Sequence, residues 1–292
     1  MTSERFTAAE QAAEQVGASN IEPEYVLGTG RDELERLAFQ HRLWSDVAHQ
    51  AWRSAKLRIG QRVLDVGCGP GFAAFDLAQW VTRRGSVVGI DESPRFIGHL
   101  NHQAAVRDLP QLTGRVGDVH QLSTLLADQA PFDLAYARWV LCFVRDPAAV
   151  VAGIVQQLRP GGYAIVHDYF HYDSLTVAPK SAVHDRVVAA TKRSWEERGG
   201  NTDIGGELPR LFADQGCRCL HLNTHARVAR GDDSMFHWPE MWWGTYAPKL
   251  VAMNYLSPAD CDELLQLMAE IGRDPNRFVH CPTVYEFIFQ KQ

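Results

Sequence analysis

Between residues 62 and 167, short β-branched runs alternate with stretches whose apolar residues recur every three or four positions, which predicts strands and helices in turn. Strands are expected at residues 62–66, 86–91, near 114–117, at 132–137 and at 163–167. A helix at 71–81 follows the first, Ser93-Pro94 opens one after the second, and Asp146-Pro147 opens one after the fourth. That last helix carries Val150, Val151, Ile154, Val155 and Leu158 inward. Strict alternation favours a parallel sheet with crossover helices. Ahead of it, Leu34, Leu37, Trp44, Val47, Ala48 and Ala51 recur at helical spacing, and Asp32, Glu33 and Glu35 suit the positive end of such a helix. Residues 1 to about 24 read as a loosely held arm.

Beyond Asp168 the alternation is interrupted. Residues 180–198 are expected to be helical and 203–216 to hold a second helix. Two last strands are expected at 219–229 and 283–290, separated by an insertion, 231–282, that contains Phe236, Trp238, Trp242, Trp243, Tyr246 and Tyr255 and then an amphipathic helix at 258–271. A cap over a binding site is the natural reading. The chain therefore divides into an arm and covering helix (1–54), a cofactor-binding core (55–170), and the rest of the core (171–292) with cap insertions at about 171–202 and 231–282.

One turn concentrates the chemistry. Val63-Leu64-Asp65-Val66 ends a buried strand, and Gly67-Cys68-Gly69-Pro70-Gly71 follows, so a ligand can lie directly against the main chain where a Cβ would otherwise stand. The dinucleotide pattern G-x-G-x-x-G is not met, because Phe72 occupies the place of its last glycine. With 292 residues, 46% hydrophobic and 22% charged, the composition is that of a globular protein, and a net charge of -6 supplies no basic field for a phosphate backbone. The six scattered cysteines lack zinc-site spacing, so reduced thiols and no metal are expected. Without an apolar leader or a span of about 18 apolar residues, the expected location is the cytoplasm.

Asp65-x-Gly67-x-Gly69-x-Gly71, then Val87-Val88-Gly89-Ile90-Asp91, Gly117-Asp118-Val119 and Leu158-Arg159-Pro160-Gly161-Gly162, in that order, resemble the motifs of class I S-adenosylmethionine-dependent methyltransferases. The core is most similar to the ubiquinone/menaquinone-biosynthesis type. The resemblance implies a Rossmann-like seven-stranded sheet of order 3-2-1-4-5-7-6 with an antiparallel last strand, and S-adenosyl-L-methionine as cofactor. It places Gly67, Cys68, Gly69 and Gly71 against the methionine and ribose, Asp91 on the ribose hydroxyls with Glu92 assisting, and Asp118 and Val119 at the adenine. Ala137 and Arg138 would flank the methionine, with Arg138 on its carboxylate, and Asp65 would orient the turn or the ammonium. The Tyr25-x-Leu-Gly segment before an Arg-Leu-x-x-Gln helix resembles a leader that covers the cofactor, which adds Tyr25 and Gln40.

Methyl transfer is an in-line displacement in which placement and exclusion of water dominate, and a hydroxyl acceptor adds a use for a base. His167 and His171 are the candidates for that base, and His41, Trp139, Tyr169, Trp242 and Trp243 for the substrate pocket. The resulting expectation is methyl transfer to an O, N or C atom of a small, partly hydrophobic metabolite. The alternatives are a protein or RNA methyltransferase and an S-adenosylmethionine-binding protein that methylates nothing. A homodimer is possible on this reading, and no nucleic-acid partner or membrane span is expected.

Overall fold

A computed structural model describes residues 30–292, so the arm and Tyr25 lie outside the described residues. Helix α1 (Arg31–Ser54) leads into β1 (Arg62–Val66), α2 (Phe72–Val81), β2 (Ser86–Asp91), α3 (Pro94–Val106), β3 (Leu112–Val116), the single turn α4 (Leu122–Leu125), β4 (Phe132–Arg138), α5 (Pro147–Gln157) and β5 (Leu158–Tyr169). The expected caps form: the Ser93 hydroxyl accepts from the Phe96 N–H at 3.2 Å, and the Asp146 carboxylate accepts from the Ala149 N–H at 2.9 Å. The remainder comprises β6 (Thr176–Ala178), α6 (Ala182–Glu196), α7 (Leu208–Asp214), β7 (Cys217–His225), β8 (Val228–Ala229), α8 (His237–Ala252), α9 (Pro258–Arg273), β9 (Phe278–His280) and β10 (Val284–Lys291).

The main sheet runs β3-β2-β1-β4-β5-β10-β7, with β1 parallel to both β2 and β4, and β10 antiparallel to both β5 and β7. Counting that sheet's strands alone, this is the expected 3-2-1-4-5-7-6. A second sheet, β6-β9-β8, was not foreseen; it ties the two insertions together. Because of it, the sixth strand of the main sheet stops at His225, and Val228–Ala229 pairs elsewhere. The helix expected at 203–216 opens as a short 3-10 turn, Ile204–Gly206, before α7. A Cβ at Gly205 would stand 2.9 Å from the Tyr169 carbonyl oxygen, so the chain presses its backbone against β5 there.

Alternate residues of each strand feed opposite faces. Leu64, Val66, Ala135 and Ala137 join one hydrophobic cluster that continues into the insertions through Trp243, Tyr246 and Leu264, while Val63, Leu134, Tyr136 and Ile165 pack with α2 and the end of α1. The cap is thus an extension of the core. Helix α8 buries Trp238, Pro239, Trp243, Tyr246, Ala247 and Leu250 along one broad face. Among the described residues no helix is long and apolar enough to cross a membrane.

His184, on α6, is fully buried edge-on against Trp243, 5.6 Å between ring centroids, and neither ring nitrogen has a hydrogen-bond partner. Burial pushes its pKa down to about 4 from 6.5. The folded protein therefore binds fewer protons than the unfolded chain in that window, so stability is retained above about pH 6.5 and falls as the pH drops toward 4. Denaturant melts at about pH 7 and pH 4.5 should differ by about 2 kcal/mol less in His184→Leu than in the unsubstituted protein. An equal difference in both would remove His184 as the source.

Candidate functional site

The carboxyl ends of β1, β2 and β4, where the strand order reverses, open into one cavity of about 1030 Å³ roofed by α1, α6 and α8. Its floor is the glycine turn. Gly67 and Gly69 adopt left-handed backbone conformations, with φ of 62° and 55°. A Cβ at Gly67 would lie 2.4 Å from the Val140 Cγ2, so only hydrogen fits. A Cβ at Gly69 would meet nothing within 4 Å, because its direction is open space at the cavity wall.

Two carboxylates shape one end. Asp91, at the end of β2, accepts from the Gly69 N–H at 2.8 Å and from the Ser93 N–H at 3.0 Å, which fixes the turn and the start of α3 at once. Asp118, after β3, accepts from the backbone N–H of His120 at 2.9 Å and faces that residue's Nδ1 at 2.6 Å. These hydrogen bonds and the nearby imidazole hold its carboxyl below the usual range against a burial effect that raises it.

Beyond Asp91, on β1 and β4, lies an acid–base pair with unfilled valences. Asp65 is buried and its Oδ2 has no hydrogen-bond partner; Arg138, at the end of β4, has a buried Nη1 in the same condition. Burial, reinforced by the Asp91 charge and opposed by Arg138, pushes the Asp65 pKa up to about 7. The other side of the guanidinium is anchored: Arg138 Nη2 donates to His41 Nδ1 at 3.0 Å, and His41 Nε2 and His49 Nε2 both meet Asp76 Oδ2 at 3.0 Å. Burial holds His41 below its usual pKa, which suits a neutral ring that accepts at Nδ1 and donates at Nε2. His41 therefore positions Arg138 from behind and does not itself line the cavity.

The far lobe is aromatic. Trp139, held at φ 54°, stacks on Tyr169 with centroids 6.1 Å apart, and Trp242 stacks on Tyr246 at 4.6 Å. Trp195 and Trp238 also face the space, and Trp238 ties α8 to α1 by donating from Nε1 to Gln40 Oε1 at 2.9 Å.

Of the residues singled out from sequence, Gln40, Asp65, Gly67, Cys68, Gly69, Asp91, Glu92, Asp118, Val119, Arg138, Trp139, Tyr169 and Trp242 all line this cavity. Gly71, Ala137, His41, Trp243, His167 and His171 do not. Gly71 and Ala137 serve packing: a Cβ on Gly71 would strike Leu100 at 2.7 Å, and Ala137 faces the core. Trp243 points from α8 toward His184, one residue and about 100° of helix away from Trp242. His171 is exposed, at the start of a short 3-10 turn.

His167 is buried on the opposite sheet face. Its Nε2 meets Glu286 Oε2 at 3.1 Å and its Nδ1 meets the Tyr136 hydroxyl at 3.3 Å, and His225 and His221 also contact Glu286, at 3.0 and 3.1 Å. Potential ligand atoms of His167, His225 and Glu286 lie within 4.8 Å of one another, and each is engaged in these contacts. The imidazoles hold the Glu286 carboxyl down at about 2 although burial works the other way. Glu286 was the legible signal, a lone acid in the apolar run Val284–Lys291. Arg36 and Trp238, which the sequence marks as a polar group on the covering helix and a member of the aromatic insertion, line the cavity too, whereas Trp195, Arg198 and Lys249 are among the lining residues that sequence reasoning missed. Positions 238, 242, 246, 249 and 253 form a helical stripe that could have revealed the α8 members.

A family profile described as a methyltransferase domain matches residues 57–216. The chain is 31% identical over 187 residues to an uncharacterized 37.1 kDa protein in a transposon of Streptomyces fradiae, covering 62% of this chain and 52% of that one. It is 30% identical over 171 residues to the trans-aconitate 2-methyltransferase of Deinococcus radiodurans, covering 57% and 59%. The alignments thus span little more than half the length of these curated relatives. Among solved structures, Haemonchus contortus phosphoethanolamine N-methyltransferase 2, in complex with phosphomonomethylethanolamine and S-adenosylhomocysteine, superposes with a TM-score of 0.51 at 16% identity, over 85% of this chain and 52% of that one. At that identity the likeness is one of fold.

Proposed function

The chain belongs to the class I S-adenosylmethionine-dependent methyltransferases, with S-adenosyl-L-methionine as cofactor, and from that premise we propose that it methylates an oxygen, nitrogen or carbon atom of a small, partly hydrophobic metabolite. One observation carries the reading: a single cavity joins an unsatisfied carboxylate and guanidinium at one end to an aromatic lobe at the other. Asp65 Oδ2 and Arg138 Nη1 offer a zwitterionic amino acid head an acceptor and a donor that the protein leaves unused. Asp91 takes the ribose hydroxyls, Asp118 the adenine amino group, and Val119 packs at the ring.

When bound, the cofactor supplies a methyl group already activated on a sulfonium. The residues of this chain then orient and enclose: the glycine turn fixes the floor, Trp139 and Tyr169 wall the passage between the two lobes, and α1 with α8 covers it from water. The relative named as a trans-aconitate methyltransferase supports a small acceptor, and the roofed aromatic lobe favours one over a macromolecule.

Calorimetric titration with S-adenosylmethionine and S-adenosylhomocysteine tests the cofactor half. Binding at micromolar Kd is expected, and Gly69→Leu, strained at φ 55° and projecting its side chain into the open space at the cavity wall, should weaken it at least about tenfold, with circular dichroism to check that the sheet still forms. Methyl-labelled donor incubated with the protein and small-metabolite extracts should then yield labelled low-mass product. Failure of the unsubstituted protein to bind either compound would overturn the proposal.

A further inference from the structure

The aromatic lobe is unbalanced in charge and in hydrogen bonding. The acids that line the cavity, Asp65, Asp91, Glu92 and Asp118, all sit at the strand ends, in the cofactor half. The far lobe carries Arg36, Arg145, Arg198 and Lys249 instead. Arg36 is matched by Glu33, which takes its Nε at 2.8 Å and its Nη2 at 2.7 Å. Among the described residues Arg198 and Lys249 have no carboxylate within salt-bridge distance. Arg198 Nη2 rests on the Met253 sulfur, a weak acceptor, and its Nη1 is buried without a partner.

Among the described residues, the unpartnered buried atoms of this lobe are of one kind. They are Arg198 Nη1, Trp139 Nε1 and Trp242 Nε1, every one a donor. A buried donor with no acceptor is costly, and these three belong to residues that line one space together with the Lys249 ammonium, so this wall holds donors and cations in excess of acceptors. The arrangement on α8 is directional as well. Trp242, Tyr246, Lys249 and Met253 succeed one another along one helix face, so an aromatic platform and an ammonium point into the lobe side by side. Arg36 Cζ lies 5.8 Å from the Trp242 ring centroid, which adds positive potential beside that platform.

Resting on the methyltransferase reading above, we infer that the acceptor substrate is an organic carboxylate on a flat apolar or aromatic body, with its carboxylate read by Arg198 and Lys249 and its body stacked on the Trp242–Tyr246 pair. A guanidinium fork and indole N–H groups match two carboxylate oxygens in a way that a neutral or cationic head cannot satisfy. Burial lowers the Lys249 pKa relative to its usual value, and an anion in the lobe offsets that effect.

The test uses the full chain saturated with S-adenosylhomocysteine and calorimetry with three isosteric sets on one- and two-ring aromatic bodies: the carboxylate, its primary amide and the corresponding methylamine. The carboxylates are expected to bind at least about tenfold more tightly than the amides, with no binding of the amines. In Arg198→Gln and Lys249→Met the preference for carboxylate over amide should shrink to about threefold or less, with S-adenosylhomocysteine affinity as the check that the site is folded. Equal binding of acid and amide, tighter binding of an amine, or no binding of any acid overturns the inference. Loss of S-adenosylhomocysteine binding by the unsubstituted protein would instead overturn the methyltransferase reading on which it rests.

Discussion

Asp91→Ala should bind S-adenosylhomocysteine at least about a hundredfold more weakly than the unsubstituted protein, while unfolding at a temperature only a few degrees lower. The carboxylate is 8% exposed and each of its oxygens already accepts one backbone N–H, from Gly69 and from Ser93. A carboxylate offers about four lone-pair sites in all, and the residue lines the cavity. Two ribose hydroxyls that donate to a charged acceptor are worth about 1.5–3 kcal/mol each, and alanine removes both along with the tether of the turn. Asp91→Asn separates the two effects. One amide oxygen can keep one backbone N–H, but the amide nitrogen then faces the other as donor against donor, so this variant should also bind at least about tenfold more weakly. Calorimetry decides it, with circular dichroism to confirm the fold. Affinity within threefold of the unsubstituted protein would remove Asp91 from the ribose.

The cofactor half was legible because its determinants are contiguous. Gly67 and Gly69 both hold left-handed backbone conformations, Gly67 also lies against Val140, where a Cβ would stand 2.4 Å away, and the caps at Ser93 and Asp146 are local hydrogen bonds written in adjacent residues. The lobe opposite was legible only in part, through Trp139, Tyr169 and Trp242, since its wall joins α6 to α8 and each contributes residues whose meaning depends on the other's position. Trp242 and Trp243 illustrate the limit: the sequence marks both as large aromatics, and only the rotation of α8 assigns one to the cavity and the other to the buried contact with His184. His167 illustrates a second limit. Its strand end was placed well, but the alternation of the strand turns the ring to the face where Glu286 waits, while the neighbouring Asp168 is turned toward Cys142, whose N–H it accepts at 3.1 Å.

Asp65→Asn should do two opposite things, stabilise the free protein at alkaline pH and weaken its hold on the cofactor. A buried carboxyl with a pKa near 7 binds its proton more tightly folded than unfolded, where the value is 3.8. Its contribution to stability is therefore full below about pH 4 and is lost as the pH rises toward 7, a loss of order 4 kcal/mol. Asparagine carries no charge to bury, so the free variant should melt several degrees higher than the unsubstituted protein at about pH 8 and show no gain at about pH 4. The stability given up by the native residue is what makes its charge available to a ligand. If Asp65 holds the cofactor ammonium, lowering the pH from about 8 to 6 reduces the ionised fraction of Asp65 about tenfold, while the cofactor's own amine becomes about twofold more protonated. The net expectation for the unsubstituted protein is an affinity about fivefold weaker at the lower pH. In Asp65→Asn the first effect is absent and the second remains, so affinity, already about 10- to 100-fold weaker at pH 8, should improve slightly on acidification. Calorimetry with S-adenosylhomocysteine at the two pH values reads both slopes. Parallel pH profiles in the two proteins would show that the Asp65 charge does not meet the ammonium, and would leave the residue as a brace for the turn alone.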